Sequence, residues 1–106
     1  MSPTFDRVRA LVRRDDWRAS DHALQRMDEH DIIGSDLADG LDGGIAIEDY
    51  PGYHAGPCVL VLQSDRAGPV HALWGIEKGT DRPAVLVTAY RPDPTRWHED
   101  NRTRKS

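Results

Sequence analysis

From Phe5 onward the apolar residues fall three and four apart: Phe5, Val8, Leu11 and Val12, with Arg7, Arg9, Arg13 and Arg14 largely on other faces. This spacing predicts an amphipathic helix, opened by Ser2-Pro3 as cap and first helical residue and ending near Asp15. The stretch "WRAS" reads as a short connector, in which Trp17 seals one end of the core. Ala23, Leu24 and Met27 define a second helix, capped by Ser20 or Asp21 and running to about His30, with Ile32 and Ile33 continuing the apolar residues beyond it. "GSDLADGLDGG" predicts a short third helix, capped by Ser35 and stopped by the paired glycines.

At Ile45 the period changes from near four to two. "IAIEDY" is a candidate strand ending at Pro51, "CVLVLQ" a strand apolar on both faces, and "VHALWGIE" and "AVLVTAY" two more. Their connections, "SDRAG" and "KGTDRP", are short and rich in turn residues, which predicts antiparallel neighbours. The expected architecture is therefore α+β, with two to three N-terminal helices packed on one face of an antiparallel three- to four-stranded sheet. We expect a single domain over 1–97, closed by Trp97 packing back, and a frayed polar C-terminal tail over 98–106.

Composition narrows the class. A chain of 106 residues builds one modest core, and a lone cysteine, Cys58, fits a reducing cytosol and makes no internal disulfide. No apolar run approaches the length of a membrane span and the first residues lack a signal-peptide pattern, so a cytoplasmic protein without a membrane partner is expected. A net charge of -4 argues against strong non-specific nucleic-acid binding. That average hides an asymmetry. Between Met27 and Asp65 there is no Lys or Arg but nine Asp and Glu, whereas outside that stretch 14 basic residues face nine acidic ones. An acidic side and a basic side follow if the charges are more than a solvated surface.

The candidate chemistry rests on a few polar residues in apolar settings. His22 and Arg26 stand four apart, about 40° around a helix, and flank the Ala23/Met27 stripe at the rim of its buried face. His71 lies within an apolar strand, where an imidazole needs a hydrogen-bond partner or an open cleft. Tyr90 and Thr88 are two apart on the last strand, and Arg91 follows them. Two histidines suit general acid/base work near neutral pH, arginines hold a phosphate, and a tyrosine donates to a developing oxyanion. This set fits metal-free RNA cleavage, in which the ribose 2′-hydroxyl attacks the neighbouring phosphate. The catalytic candidates are His22, His71 and Tyr90, and the substrate-binding candidates Arg26, Thr88 and Arg91. His71 and Tyr90 share a sheet face only if the hairpin pairs residues whose numbers sum to an odd value such as 161. The alternatives are an exposed helix pair, a core histidine satisfied by the backbone, and a packing tyrosine. The histidine spacing makes no zinc site, "DGLDGG" is no calcium loop, and no phosphate-cradling glycine loop is present, so neither metal nor cofactor is expected.

The ordered segments "SDHALQRMDEHDI", "IEDYP", "VLVLQ", "PVHALWGI" and "VLVTAYRPDPTRW" resemble the bacterial domain-of-unknown-function family 4258 over about residues 17–97. Its members look like S-x-H-A-x-x-R-M, then a strand with P-x-H, then T-x-Y-x-P-D-x-x-x-W; where the family often carries an arginine before Gly-Ile, this chain has His30-Asp31. The resemblance implies a fold similar to the RelE-like and MqsR-like ribonuclease toxins, RNA as substrate, and a small zinc-finger antitoxin as partner. It directs attention to His22, Arg26, His71, Thr88 and Tyr90. A non-enzymatic interaction module, dimeric or meeting a basic partner through its acidic region, and a small-anion-binding domain remain the alternatives.

Overall fold

The computed structural model describes residues 2–97 and 100–104. Helix α1 spans Pro3–Arg13, strand β1 Trp17–Ala19, α2 Asp21–Glu29 and α3 Gly34–Gly40; β2 (Ile45–Tyr50), β3 (Cys58–Asp65), β4 (Gly68–Ile76) and β5 (Ala84–Tyr90) follow. The architecture is α+β with the helices first, as the periodicities predict. Among the described residues no helix is long and apolar enough to cross a membrane.

The first two helices start where their caps dictate. Ser2 Oγ accepts from the Phe5 amide at 3.0 Å with Pro3 next to it, and Ser20 Oγ accepts from the Ala23 amide at 3.0 Å, so Ser20 rather than Asp21 is the cap of α2. Helix α3 begins one residue before the expected cap Ser35, with Ile33 in the cap position and no side-chain bond; the buried Leu37 anchors it instead.

The sheet differs from expectation. It has five strands in the order β1-β5-β4-β3-β2 and is mixed, because β1 runs parallel to β5 through Trp17↔Ala84, Arg18↔Val85 and Ala19↔Leu86. The expected connector "WRAS" is thus an edge strand. Its pairing continues at both ends, where the Ala84 amide donates to Asp16 O and the Ser20 amide to Leu86 O. Three residues are too few to show a period of two, so the strand is set by the free edge of β5 rather than by its own pattern. The remaining neighbours are antiparallel, and "IAIEDY" joins as the fourth expected strand.

All three helices pack on one face of the sheet. Val8, Leu11, Met27 and Leu37 meet Val59, Val61, Val70, Ala72, Trp74 and Leu86 in one core, and Trp17 packs edge-on against Trp74 with ring centroids 5.6 Å apart. The polar atoms in this core are paired. Trp74 Nε1 donates to Gln63 Oε1 at 2.9 Å, and Gln63 Nε2 donates to Leu37 O at 2.7 Å, which ties α3 to the sheet centre.

Candidate functional site

The site stands where the helix-free face meets α2 at the end of β5, and a β-bulge decides which strand residues reach it. From the turn inward the β4–β5 pairs are Ile76↔Ala84, Gly75↔Val85 and Trp74↔Leu86; then Val87 is skipped and Leu73↔Thr88, Ala72↔Ala89 and His71↔Tyr90 follow. An unbroken register from the turn would have set His71 opposite Ala89. The extra residue restores the odd sum, so His71 and Tyr90 face each other on the helix-free side.

Ser20 holds the bulge. Its hydroxyl donates to Val87 O at 2.8 Å while accepting from the Ala23 amide, so one side chain joins the start of α2 to the irregularity in β5. Ser20→Ala removes a helix cap and leaves a half-buried carbonyl short of a donor. It is expected to lower stability by about 1.5 kcal/mol in urea denaturation, with Ser20→Thr recovering much of the loss.

His71 is fully buried. Its ring lies edge-on to Tyr90 at 5.4 Å and to Trp97 at 4.3 Å. Nε2 is 2.7 Å from Asn101 O, and because a carbonyl only accepts, Nε2 carries the proton. Nδ1 then holds a lone pair, buried and without a hydrogen-bond partner among the described residues. Burial pushes the His71 pKa below its ordinary value of 6.5, against the opposing pull of the Asn101 carbonyl; Arg104 lowers it further and Glu48 raises it. The folded state thus binds the proton less readily than the unfolded chain. His71's contribution to stability is present above pH 6.5 and is lost as the pH falls below it. Urea midpoints taken on either side of that value are expected to show this decline, and His71→Gln is expected to flatten it.

The described part of the C-terminal segment, Asp100–Arg104, lies against the sheet rather than fraying. The Arg104 guanidinium donates to both carboxylate oxygens of Glu48, at 2.7 and 2.8 Å, and lies 4.5 Å over the Trp97 ring. Those hydrogen bonds hold the Glu48 carboxyl below its ordinary range, and the Tyr50 hydroxyl donates to the same group.

Where α2, the end of β5 and this segment meet, a cleft of about 490 Å³ opens. Its walls are Arg26, His30, Tyr90 and Arg91 on one side and Asp93, Arg96, Trp97 and Arg104 on the other. Two of the arginines are already clasped. Arg104 holds Glu48, and Arg91 donates to both oxygens of Asp65 at 2.8 and 2.9 Å. Arg26 and Arg96 are not clasped in this way among the described residues. Arg26 approaches Glu29 only at 4.0 Å, leaves Nε buried without a partner, and stands 5.8 Å from the Tyr90 ring centroid. His30 Nδ1 receives a long hydrogen bond, 3.4 Å, from the Arg91 amide, which places the proton of the neutral ring on Nε2. Burial raises the Tyr90 pKa, so its phenol stays protonated and keeps an O–H to donate.

The fold brings Arg26, Tyr90 and Arg91 into one cleft, with His71 directly behind Tyr90. Trp97 is the partition, since it touches His71 and lines the cleft. Thr88 pairs with Leu73 and His22 is exposed on α2; neither lines the cleft. His30, Arg96, Trp97 and Arg104 were not singled out in the sequence as site residues. Among the described residues no group of three or more His, Cys, Asp or Glu stands close enough to hold a metal ion.

No curated protein and no solved structure matches the chain. The family model described as "Domain of unknown function (DUF4258)" matches residues 19–91, from Ala19 beside the α2 cap to Arg91 at the cleft, and the chain belongs to that family.

Proposed function

We propose that the cleft binds the phosphodiester backbone of RNA and that the protein acts as a toxin-like endoribonuclease. The observation that supports this most is the donor set. Two arginines without a clasping carboxylate, a histidine Nε2–H and a neutral phenol converge on one cleft of an otherwise acidic chain. Guanidinium groups match phosphate oxygens in geometry as well as charge, and a phenol gives a further hydrogen bond without a competing charge.

Cleavage would follow the 2′-hydroxyl route. The hydroxyl oxygen gives up its proton and attacks phosphorus, the bond to the 5′-oxygen breaks as that oxygen takes a proton from water, and the ends are a 2′,3′-cyclic phosphate and a 5′-hydroxyl. His71 is the base in this reading. Asn101 O fixes the tautomer with the proton on Nε2, which leaves the Nδ1 lone pair to take a proton, and the depressed pKa keeps that lone pair free at neutral pH. Trp97 must swing aside for substrate to reach it. Tyr90, in contact with both His71 and the cleft, donates to the phosphate, and Arg26 and Arg96 hold its charge. His22, exposed and outside the cleft, has no part in this scheme.

A second reading is favoured by the burial of His71: the cleft binds an anion and carries out no chemistry, with His71 as packing behind Tyr90. Incubation of purified protein with single-stranded RNA in EDTA separates the two. Cyclic-phosphate ends support the endoribonuclease, while bound but intact RNA supports the binding module. A zinc-finger antitoxin, the partner that the toxin reading implies, would then be sought by its competition with RNA for the cleft.

A further inference from the structure

The helix-free face of the sheet is divided. Around His71 it is covered by the C-terminal segment, but toward β1 no described residue covers it. There Leu73 of β4, Val85 and Val87 of β5, and the tyrosines Tyr50 and Tyr53 surround an open, largely apolar depression of about 530 Å³. Tyr50 and Tyr53 are 40% and 51% exposed. A contiguous apolar surface left open in this way is a candidate interaction face.

Two charges border the depression, Arg18 and Glu77. Trp17 and Ala19 pack toward the core, so strand alternation turns Arg18 to the helix-free side; Ile76 is in the core, and the residue after it, Glu77, turns the same way. Neither side chain makes an ion pair among the described residues, whereas Arg9, Arg13, Arg82, Arg91 and Arg104 each do.

We propose that this face is the contact of a homodimer, paired with a second copy of the chain about a two-fold axis. A two-fold contact sets one patch against itself, so each residue meets its counterpart's neighbour and the reverse holds too. A rim bearing one cation and one anion is self-complementary in that arrangement: Arg18 of each copy meets Glu77 of the other. The apolar floor is closed in the same step, which removes Tyr53, Val85 and Val87 from water. A strongly basic or acidic partner would satisfy one rim charge and oppose the other, and an RNA strand would meet Glu77 on this side. The inference does not depend on the RNA reading, because the cleft and this face share no residue.

Light scattering across a concentration series is the test. The wild-type chain is expected to reach twice its 11.9 kDa. Arg18→Glu and Glu77→Arg, both at exposed positions, are each expected to weaken association about tenfold or more by setting like charges together. An equimolar mixture of these two variants is expected to restore the doubled mass, since each then offers the charge that the other needs. A wild-type mass that stays at 11.9 kDa at every concentration, or a dimer indifferent to both reversals, or a mixture that fails to reassociate, would overturn the proposal.

Discussion

Arg26→Ala combined with Arg96→Ala is expected to weaken binding of single-stranded RNA about 100-fold at low salt. The figure follows from two charged hydrogen-bonding contacts at about 1.5 kcal/mol each, with 1.4 kcal/mol to each factor of ten. The salt dependence should change with it. Each phosphate contact on a single strand contributes about 0.7 to the slope of log affinity against log salt, so the double variant should show a slope shallower by about 1.4. The same substitutions at Arg91 and Arg104 would confuse loss of binding with loss of fold, because those guanidinium groups hold Asp65 and Glu48. Arg26 and Arg96 lack such clasps, and their removal should leave the urea midpoint nearly unchanged. Fluorescence anisotropy of a labelled oligonucleotide at several salt concentrations measures both quantities. An unchanged slope would place the RNA elsewhere on the surface.

The second large effect is expected from His71→Gln. A glutamine amide can donate to Asn101 O as Nε2–H does now, so the hydrogen bond and much of the packing against Tyr90 and Trp97 are kept. What is lost is the basic lone pair. If that lone pair accepts the 2′-hydroxyl proton, cleavage should fall about 100-fold or more while RNA binding and folding persist. His71→Ala is the poorer experiment, since removing a buried ring leaves a cavity and unfolding would mimic inactivity. Cleavage by His71→Gln at the wild-type rate would remove His71 from the chemistry.

Much of the fold is legible in the sequence, and what is not legible has identifiable causes. The helical spacing of Phe5, Val8, Leu11 and Val12, and the caps at Ser2 and Ser20, place α1 and α2 directly, because these signals are local. The three long strands follow from alternation and short turns. Strand β1 escapes because "WRA" is too short to carry a pattern and owes its conformation to the edge of β5. The bulge at Val87 escapes as well: nothing in "VLVTAY" says which residue is skipped, and Ser20, the side chain that holds it, is 67 residues away.

The candidate site shows the same division. Arg26, His71, Tyr90 and Arg91 announce themselves as polar residues beside apolar strand or helix positions, and the bulge gathers Tyr90 with His71. His22 shares the helix face of Arg26 in projection, yet it remains exposed while Arg26 reaches Tyr90. Arg104 reads as a member of a polar run, and only the return of the chain over Trp97 brings it to the cleft, while Arg96 reads as one more charge in the turn after β5. His30 reads as the end of a helix. Its role depends on the Arg91 amide, a contact that spans 61 residues.

The most direct measurement is the fate of single-stranded RNA with the wild-type protein in EDTA, resolved by length and by end chemistry. Fragments with 2′,3′-cyclic phosphate and 5′-hydroxyl ends are expected, absent with His71→Gln and reduced with Arg26→Ala/Arg96→Ala. RNA that is neither bound nor cut by protein shown to be folded would contradict the endoribonuclease reading.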